Sequence, residues 1–395
     1  MVTKVNALLF VVGLVIVVVT VLSVIFILVL PRRPSGVAIG SQVVNRGVRL
    51  LFVGLSRLAT SYEAKDAILA PAAPVALIVQ LVFWSITLII GFAAMLTATT
   101  HSYVEGLSQA ATALFTVGTI HIGGPANVAV DIAAGAVWVV IVALQIAYLP
   151  ALYNSFSRRE GLVTMLESRA GSPAWGPELL ARHQLVGISD MLPDLYADWE
   201  EWAAEVTESH TTYPILLLFR SPEPWLSWLV GLLAVLDAGA MQLALSPTRA
   251  PSQARLCLRM GFTSMNRIAV SLGWPVDDDP DPDGDIDLSF DEFASAVAML
   301  EGYGFEMERT AQEAWPDFRG WRVNYESVAY RLCDHFTAPP APWSGHRRHL
   351  RAGTVAPHRP PHRAPKKGTL AKSRPEVINP GRERSTRAGP FRRRT

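Results

Sequence analysis

Two stretches of this sequence carry oxygen atoms at spacings suited to holding a cation. In the first, Thr116-Val117-Gly118-Thr119-Ile120-His121 follows Thr112 inside a run, 101–127, that contains no lysine or arginine. Threonine hydroxyls and the carbonyls of an extended, glycine-bearing backbone can face an ion and replace its hydration shell. In the second, Asp281, Asp283, Asp285 and Asp287 alternate ahead of Ser289 and Glu292. Hard oxygen ligands at this spacing suit a divalent cation such as calcium. Against that, Ser289-x-x-Glu292 reads as a capping box opening a helix over 290–303, and aspartates ahead of a helix favour its N-terminus. Capping is the expectation here and calcium the secondary one. Near the first run, His101 and His121 are the right residue types for a proton or metal sensor. Asp131 is suited either to a ring of negative charge at a pore mouth or to stabilising the start of its own helix. The chain has no P-loop, G-x-S-x-G, H-E-x-x-H, dinucleotide fingerprint or paired-cysteine zinc motif. The expectation is therefore a protein that is not an enzyme and needs no organic cofactor.

The elements that must position these residues are apolar. Half of the residues are hydrophobic, 17% are charged, and mean hydropathy is +0.26. Val5–Leu30 and Val75–Thr100 carry no charge, and Val128–Tyr153 carries only Asp131. Each is long enough as a helix to cross a hydrocarbon core of about 30 Å. The first run is too long for a signal-peptide core and is expected to be a retained anchor. Pro31 and Pro150 are placed at segment ends, where a helix break costs little. The 31–74 loop carries six lysines and arginines, 101–127 carries none, and Arg158-Arg159 closes the third run. The positive-inside rule then puts the N-terminus outside and everything after 154 inside the plasma (cytoplasmic) membrane. Within 37–60, Val44, Val48, Leu51 and Leu55 recur at helical spacing, which suits an amphipathic helix on the inner surface or packed on the bundle. Trp225–Leu245 is also apolar, but Asp237 lies near its middle. A central carboxylate costs at least ~2.5 kcal/mol on insertion scales, so this segment is expected at the centre of a soluble bundle.

A span, a short helix at 103–115, Thr-Val-Gly and a second span together resemble the pore module of the tetrameric potassium channel family. Thr112 and Thr116-Val117-Gly118 match the start of its T-x-x-x-T-V-G-Y-G filter pattern. The resemblance covers residues 75–155. It implies a re-entrant loop, a homotetramer, and monovalent cations passing a filter built from Thr112, Thr116, Val117, Gly118 and Thr119. It departs from the pattern at Thr119, Ile120 and His121, where the family has Tyr, Gly and often Asp. A β-branched residue does not readily adopt the backbone conformation of that second glycine, so altered selectivity is expected. Similarly, Asp281, Asp283, Asp285, Asp287 and Glu292 resemble an EF-hand calcium loop at positions one, three, five, seven and twelve. Ile286 stands where that loop requires glycine.

Charge divides the chain into three: +5 over 1–159, −17 over 160–344 and +13 over 345–395. The acidic part holds nine of the eleven tryptophans and both cysteines, Cys257 and Cys333, which are expected as buried thiols. Helices are expected at 161–169, 177–189, 194–209, 225–245, 252–272, 290–303 and 322–336. Pro214–Phe219 fits a short strand or a helix start. Phe318–Glu326 resembles a segment of uncharacterised bacterial membrane proteins. Residues 337–395, rich in Pro, Arg and His, are expected to be a disordered tail that binds anionic lipid rather than a specific nucleic acid. The organisation expected is all-α: an anchor at 1–30, an amphipathic linker at 31–74, a pore-like module at 75–155, an acidic cytosolic helical domain at 156–336, and the tail. The function expected is an oligomeric cation channel regulated by its cytosolic domain. The alternative is a non-conducting, membrane-anchored scaffold or sensor with a partner-binding domain.

Overall fold

A computed structural model of the protein describes residues 2–30, 39–100, 102–115 and 124–345. Among these residues every regular element is helical. The helices are α1 (Val2–Leu28), α2 (Ile39–Ser56), α3 (Tyr62–Leu69), α4 (Ala72–Thr100), α5 (Tyr103–Leu114), α6 (Pro125–Ala170), α7 (Gly176–Val186), α8 (Leu192–Thr212), α9 (Trp228–Leu245), α10 (Ser252–Ser271), α11 (Phe290–Gly302), α12 (Ala311–Arg322) and α13 (Glu326–His335). The chain forms two compact units, one of residues 1–156 with 212–220, the other of 157–211 with 221 onward.

In the first unit, α1 and α4 cross with their backbones nearly touching. Gly13 lies against the carbonyl of Gly91, and a Cβ on Gly91 would come within 2.8 Å of Val17. Small residues let helices approach this closely where lipid supplies no hydrophobic drive between them. Val17 and Val24 of α1 pack with Trp84, Leu88 and Phe92 of α4, and with Ala134 and Ile141 of α6. The opposite faces carry exposed Leu8, Val11, Val15, Ile78, Val82, Ile86, Ile132, Val139 and Ile146. Such an outward apolar surface suits a bilayer. The stripe expected on α2 is split. Val44 and Val48 pack against Ala73, Ala76, Tyr148 and Leu152, whereas Leu51 and Leu55 are exposed.

Two expectations about α6 and the first unit's limits are corrected. α6 runs unbroken for 46 residues through Pro150 and through Arg158-Arg159. A proline removes one intrahelical bond, which a long, well-packed helix tolerates. Residues 212–220 belong to the first unit, not to an uninterrupted acidic domain. The 3₁₀ turn Pro214–Leu218 and Phe219 bring Ile215, Leu216 and Phe219 against Tyr148 and Leu152. Arg220 pairs there with buried Asp66 of α3 and donates to the Tyr62 hydroxyl at 2.6 Å. A charge pair at separation 154 gives no periodic signal, so the sequence alone could not place it.

The second unit is built around α9, with α7, α10, α12 and α13 packed on it. Among the described residues, four helical stretches are long and apolar enough to cross a membrane: Asn6–Leu28, Tyr62–Thr97, Pro125–Ala170 and Trp228–Leu245. The last differs in being 94% buried within the protein, against 33%, 39% and 22% for the others. Asp237 at its middle is paired with Arg322 of α12 and accepts from the Tyr325 hydroxyl at 2.8 Å. Arg322 also donates to Glu326 at 2.7 Å, to the Tyr330 hydroxyl at 2.8 Å and to the Trp343 carbonyl at 2.8 Å. Burial pulls the guanidinium pKa down, but Asp237, Tyr330 and Glu326 outweigh it and hold Arg322 above its ordinary value. α12 was not expected from its sequence because Pro316 and Gly320 lie inside it. Its signal was the capping box Thr310-x-x-Glu313, in which both reciprocal bonds form. Residues 337–345, expected in the tail, are instead part of this unit: Ala341 and Trp343 are buried, and Trp343 meets Trp175 edge-on at 5.6 Å. Residues 346–395, which carry most of the expected tail, lie outside the described residues.

Candidate functional site

The site is assembled from α5 and the two long helices on either side of it. Ser102 caps α5 by accepting from the Glu105 N–H, and the 12-residue helix spans about 18 Å, roughly half of a hydrocarbon core. Weak overall polarity with alanines at 110, 111 and 113 makes it a helix that can be enclosed by others. Gly106 seats it on α4: a Cβ there would fall 2.9 Å from the Ala93 carbonyl and 3.1 Å from the Thr97 hydroxyl. Ala110, Ala113 and Leu114 are buried in the same core as Phe92 and Leu96.

On its other side α5 meets α6. Gln109 Nε2 donates to Asp131 Oδ2 at 2.8 Å, with both residues buried. Close by, Phe115 meets Trp138 edge-on at 5.4 Å, and a Cβ on Gly135 would lie 3.4 Å from the Ala113 carbonyl. Interhelical hydrogen bonds in bilayers average ~0.6 kcal/mol and rarely exceed ~1.7 kcal/mol. Gln109–Asp131 is thus more a device for orientation than a source of stability. This contact adds a third part to the two expected of Asp131, at a pore mouth or at the start of its own helix. At 3% exposure it holds α5 in place and does not stand on a pore-mouth surface within this chain. Gln109 was not singled out from sequence. The available signal was Asp131, the one charge in the apolar run 128–153, where a buried polar group requires a partner.

Thr112, expected in the filter, is half-buried on α5, and its hydroxyl donates to the Ser108 and Gln109 carbonyls of its own helix. Thr116, Val117, Gly118, Thr119 and His121 lie outside the described residues, as does His101. The helix ending at Leu114 delivers the chain directly into that run.

The acidic run behaves as a capped turn. Glu292 accepts from Ser289 at its N–H (3.0 Å) and hydroxyl (2.8 Å), completing the capping box of α11. Asp283 pairs with Arg319 at 2.7 Å, and Asp281 accepts from the Asp283 N–H at 3.0 Å. The Asp287 and Leu288 N–H groups donate to Glu326. Asp281, Asp283, Asp285, Asp287 and Glu292 do not converge: among the described residues, no three His, Cys, Asp or Glu side chains are gathered as a metal ion requires. The physical reason is that Glu292 is committed to the Ser289 cap and Asp283 to Arg319, while Glu326 takes the backbone N–H groups of Asp287 and Leu288. Cys257 and Cys333 are buried thiols.

A second buried polar cluster was not anticipated. Arg159 pairs with Glu160 at 2.7 Å, lies 3.0 Å from His210 Nε2, and sits over the Trp228 ring at 5.6 Å. Its carbonyl accepts from the Trp202 indole at 2.9 Å. Because Arg159 can only donate, His210 Nε2 accepts and its proton resides on Nδ1. Burial, then the neighbouring Arg159, holds the His210 pKa well below its ordinary value. Arg159, Glu160 and His210 are all buried, and their contacts tie α6 to α8 and to Trp228 at the start of α9. No protein-family model, curated protein or solved structure matches this chain.

Proposed function

We propose that this protein is an oligomeric membrane pore of the pore-loop type, passing monovalent cations through a ring of Thr116-Val117-Gly118 segments, with its second unit as a cytosolic regulatory domain. The observation that carries the reading is α5. A half-length helix, seated on α4 through Gly106 and oriented against α6 by Gln109–Asp131, lies between two span-length helices and ends at the oxygen-rich run. A re-entrant helix of this kind lets irregular backbone exist at membrane depth, provided that it faces protein or a water-filled path. One such strand presents carbonyls from one side only. Four copies about an axis would enclose a path, which makes a homotetramer part of the reading. In this reading three spans, α1, α4 and the first part of α6, would leave 101–127 outside and the second unit inside, in accord with loop charge. The burial of α9 by its own unit supports keeping it out of the membrane.

The test is cation flux into liposomes carrying the purified full chain. Gly118→Val should stop flux and leave assembly unchanged, because valine resists the backbone conformations open to glycine. Thr119→Tyr with Ile120→Gly should raise preference for potassium over sodium. A monomer in mild detergent, together with Gly118→Val indistinguishable from the parent, would favour the scaffold reading instead.

A further inference from the structure

The first unit contains a polar cavity that the pore reading does not use. It measures about 30 Å³ to the centre of a water-sized sphere and lies among α1, α2, α4, α6 and the turn at 214–218. Five polar side chains line it: Asn45, Gln80, Trp84, Gln145 and Tyr148. Gln80 is 6% exposed and Trp84 1%. Neither the amide oxygen nor the amide nitrogen of Gln80 has a hydrogen-bond partner among the described residues, and the same is true of the Trp84 indole N–H. Three orphaned polar atoms on two successive turns of one apolar helix are costly, since lipid offers them nothing in exchange.

We propose that this cavity is a binding site for a small neutral molecule that both donates and accepts hydrogen bonds. The lining contains no Asp, Glu, Lys, Arg or His, so an ion would find no countercharge. Trp84 can only donate, whereas the three amides donate and accept, so the guest must do both. By this measure of volume a water needs roughly 10–15 Å³, which limits the guest to about two waters or a solute of similar size, such as a primary amide. The site rests on α4, α6 and the linker and is independent of whether 116–118 conducts.

Water-edited solid-state NMR on the full chain in liposomes, with ¹⁵N-indole tryptophan, tests this. Trp84→Phe assigns the Trp84 resonance, and Trp202, whose indole donates to the Arg159 carbonyl, is the dry reference. Water should transfer polarisation to the Trp84 N–H at several times the Trp202 level, and Gln80→Leu should bring it down to that level. A saturable shift of the Trp84 resonance with formamide, absent in Gln80→Leu, would identify an amide solute as the guest. Trp84 as dry as Trp202 in water and unmoved by formamide would overturn the proposal. That measurement needs only the parent chain, so it stands even if Gln80→Leu fails to fold.

Discussion

At the scale of single residues, buried charge is the dominant feature of the second unit. Arg322 has no exposure, and its guanidinium serves Asp237, Glu326, Tyr330 and Trp343 together. Removing one partner of such a set strands the others in a low-dielectric interior, at a cost of about 3–5 kcal/mol. Arg322→Leu should destabilise the second unit by that amount, measured by urea unfolding followed through tryptophan fluorescence. Arg322→Leu with Asp237→Leu should recover part of the loss, since apolar replacement of a whole pair is often close to neutral. Equal losses in the single and double variants would show that the pair is not coupled. A second prediction concerns His210. It is neutral in the folded protein, with its pKa well below the ordinary 6.5 because of burial and Arg159; its ring also meets the Ser209 hydroxyl and Trp228. The unfolded chain takes up that proton below pH 6.5 and the folded one does not. The contribution of His210 is therefore fully present above 6.5 and is lost as pH falls toward its depressed native value. His183, also lowered by burial, acts in the same direction. Melting temperature should fall from pH 7 to pH 5, and His210→Gln should flatten that slope; an unchanged slope would rule the residue out as its source.

At the scale of elements, glycine at helix crossings decides the geometry. Gly106 lets α5 sit on the α4 backbone, and Gly13 and Gly91 let α1 cross α4. Gly106→Leu should push α5 away from Ala93 and Thr97 while leaving the second unit intact. Hydrogen exchange should then quicken at least tenfold over 103–114 and stay unchanged over α9, whose surroundings contain none of these residues. Equal protection in the two proteins would mean that α5 is not held by this contact. Cation flux should fall in the same variant, because the run after Leu114 would lose its support. The capping boxes at Ser289 and Thr310 operate on the same scale. Each sets a helix start by local chemistry alone and needs no tertiary contact.

At the scale of the molecule, the proposed three-span arrangement rests on loop charge and on the burial of α9 within its own unit. Cysteine placed at Ser102 should react with an impermeant reagent from outside, and cysteine at Ser157 only from inside. Cysteine at Ser252, just after α9, should also stay unlabelled from outside if α9 does not cross. Reversed labelling at 102 and 157, or external labelling at 252, would contradict the three-span arrangement. The discontinuous first unit bears on this as well. Residues 212–220 return to α3 and α6 through Arg220–Asp66 and Phe219, so the chain enters the second unit, leaves it and enters it again.

The local properties of the sequence determined the long apolar helices, the short helix between two of them, most helices of the acidic part and the Ser289–Glu292 cap. Each of these depends on hydropathy, periodicity or side-chain chemistry within one or two turns. Only the tertiary structure decided the partners of buried polar groups. Gln109 with Asp131, Asp66 with Arg220, and Asp237 with Arg322 lie 22, 154 and 85 residues apart. It also decided that Asp131 faces inward, that α6 continues through Pro150, and that 337–345 pack with the second unit. The physical reason is the same in every case. A polar or helix-breaking residue has a local cost that sequence makes visible, but the group that offsets this cost is brought to it by packing, and its distance along the chain follows no period.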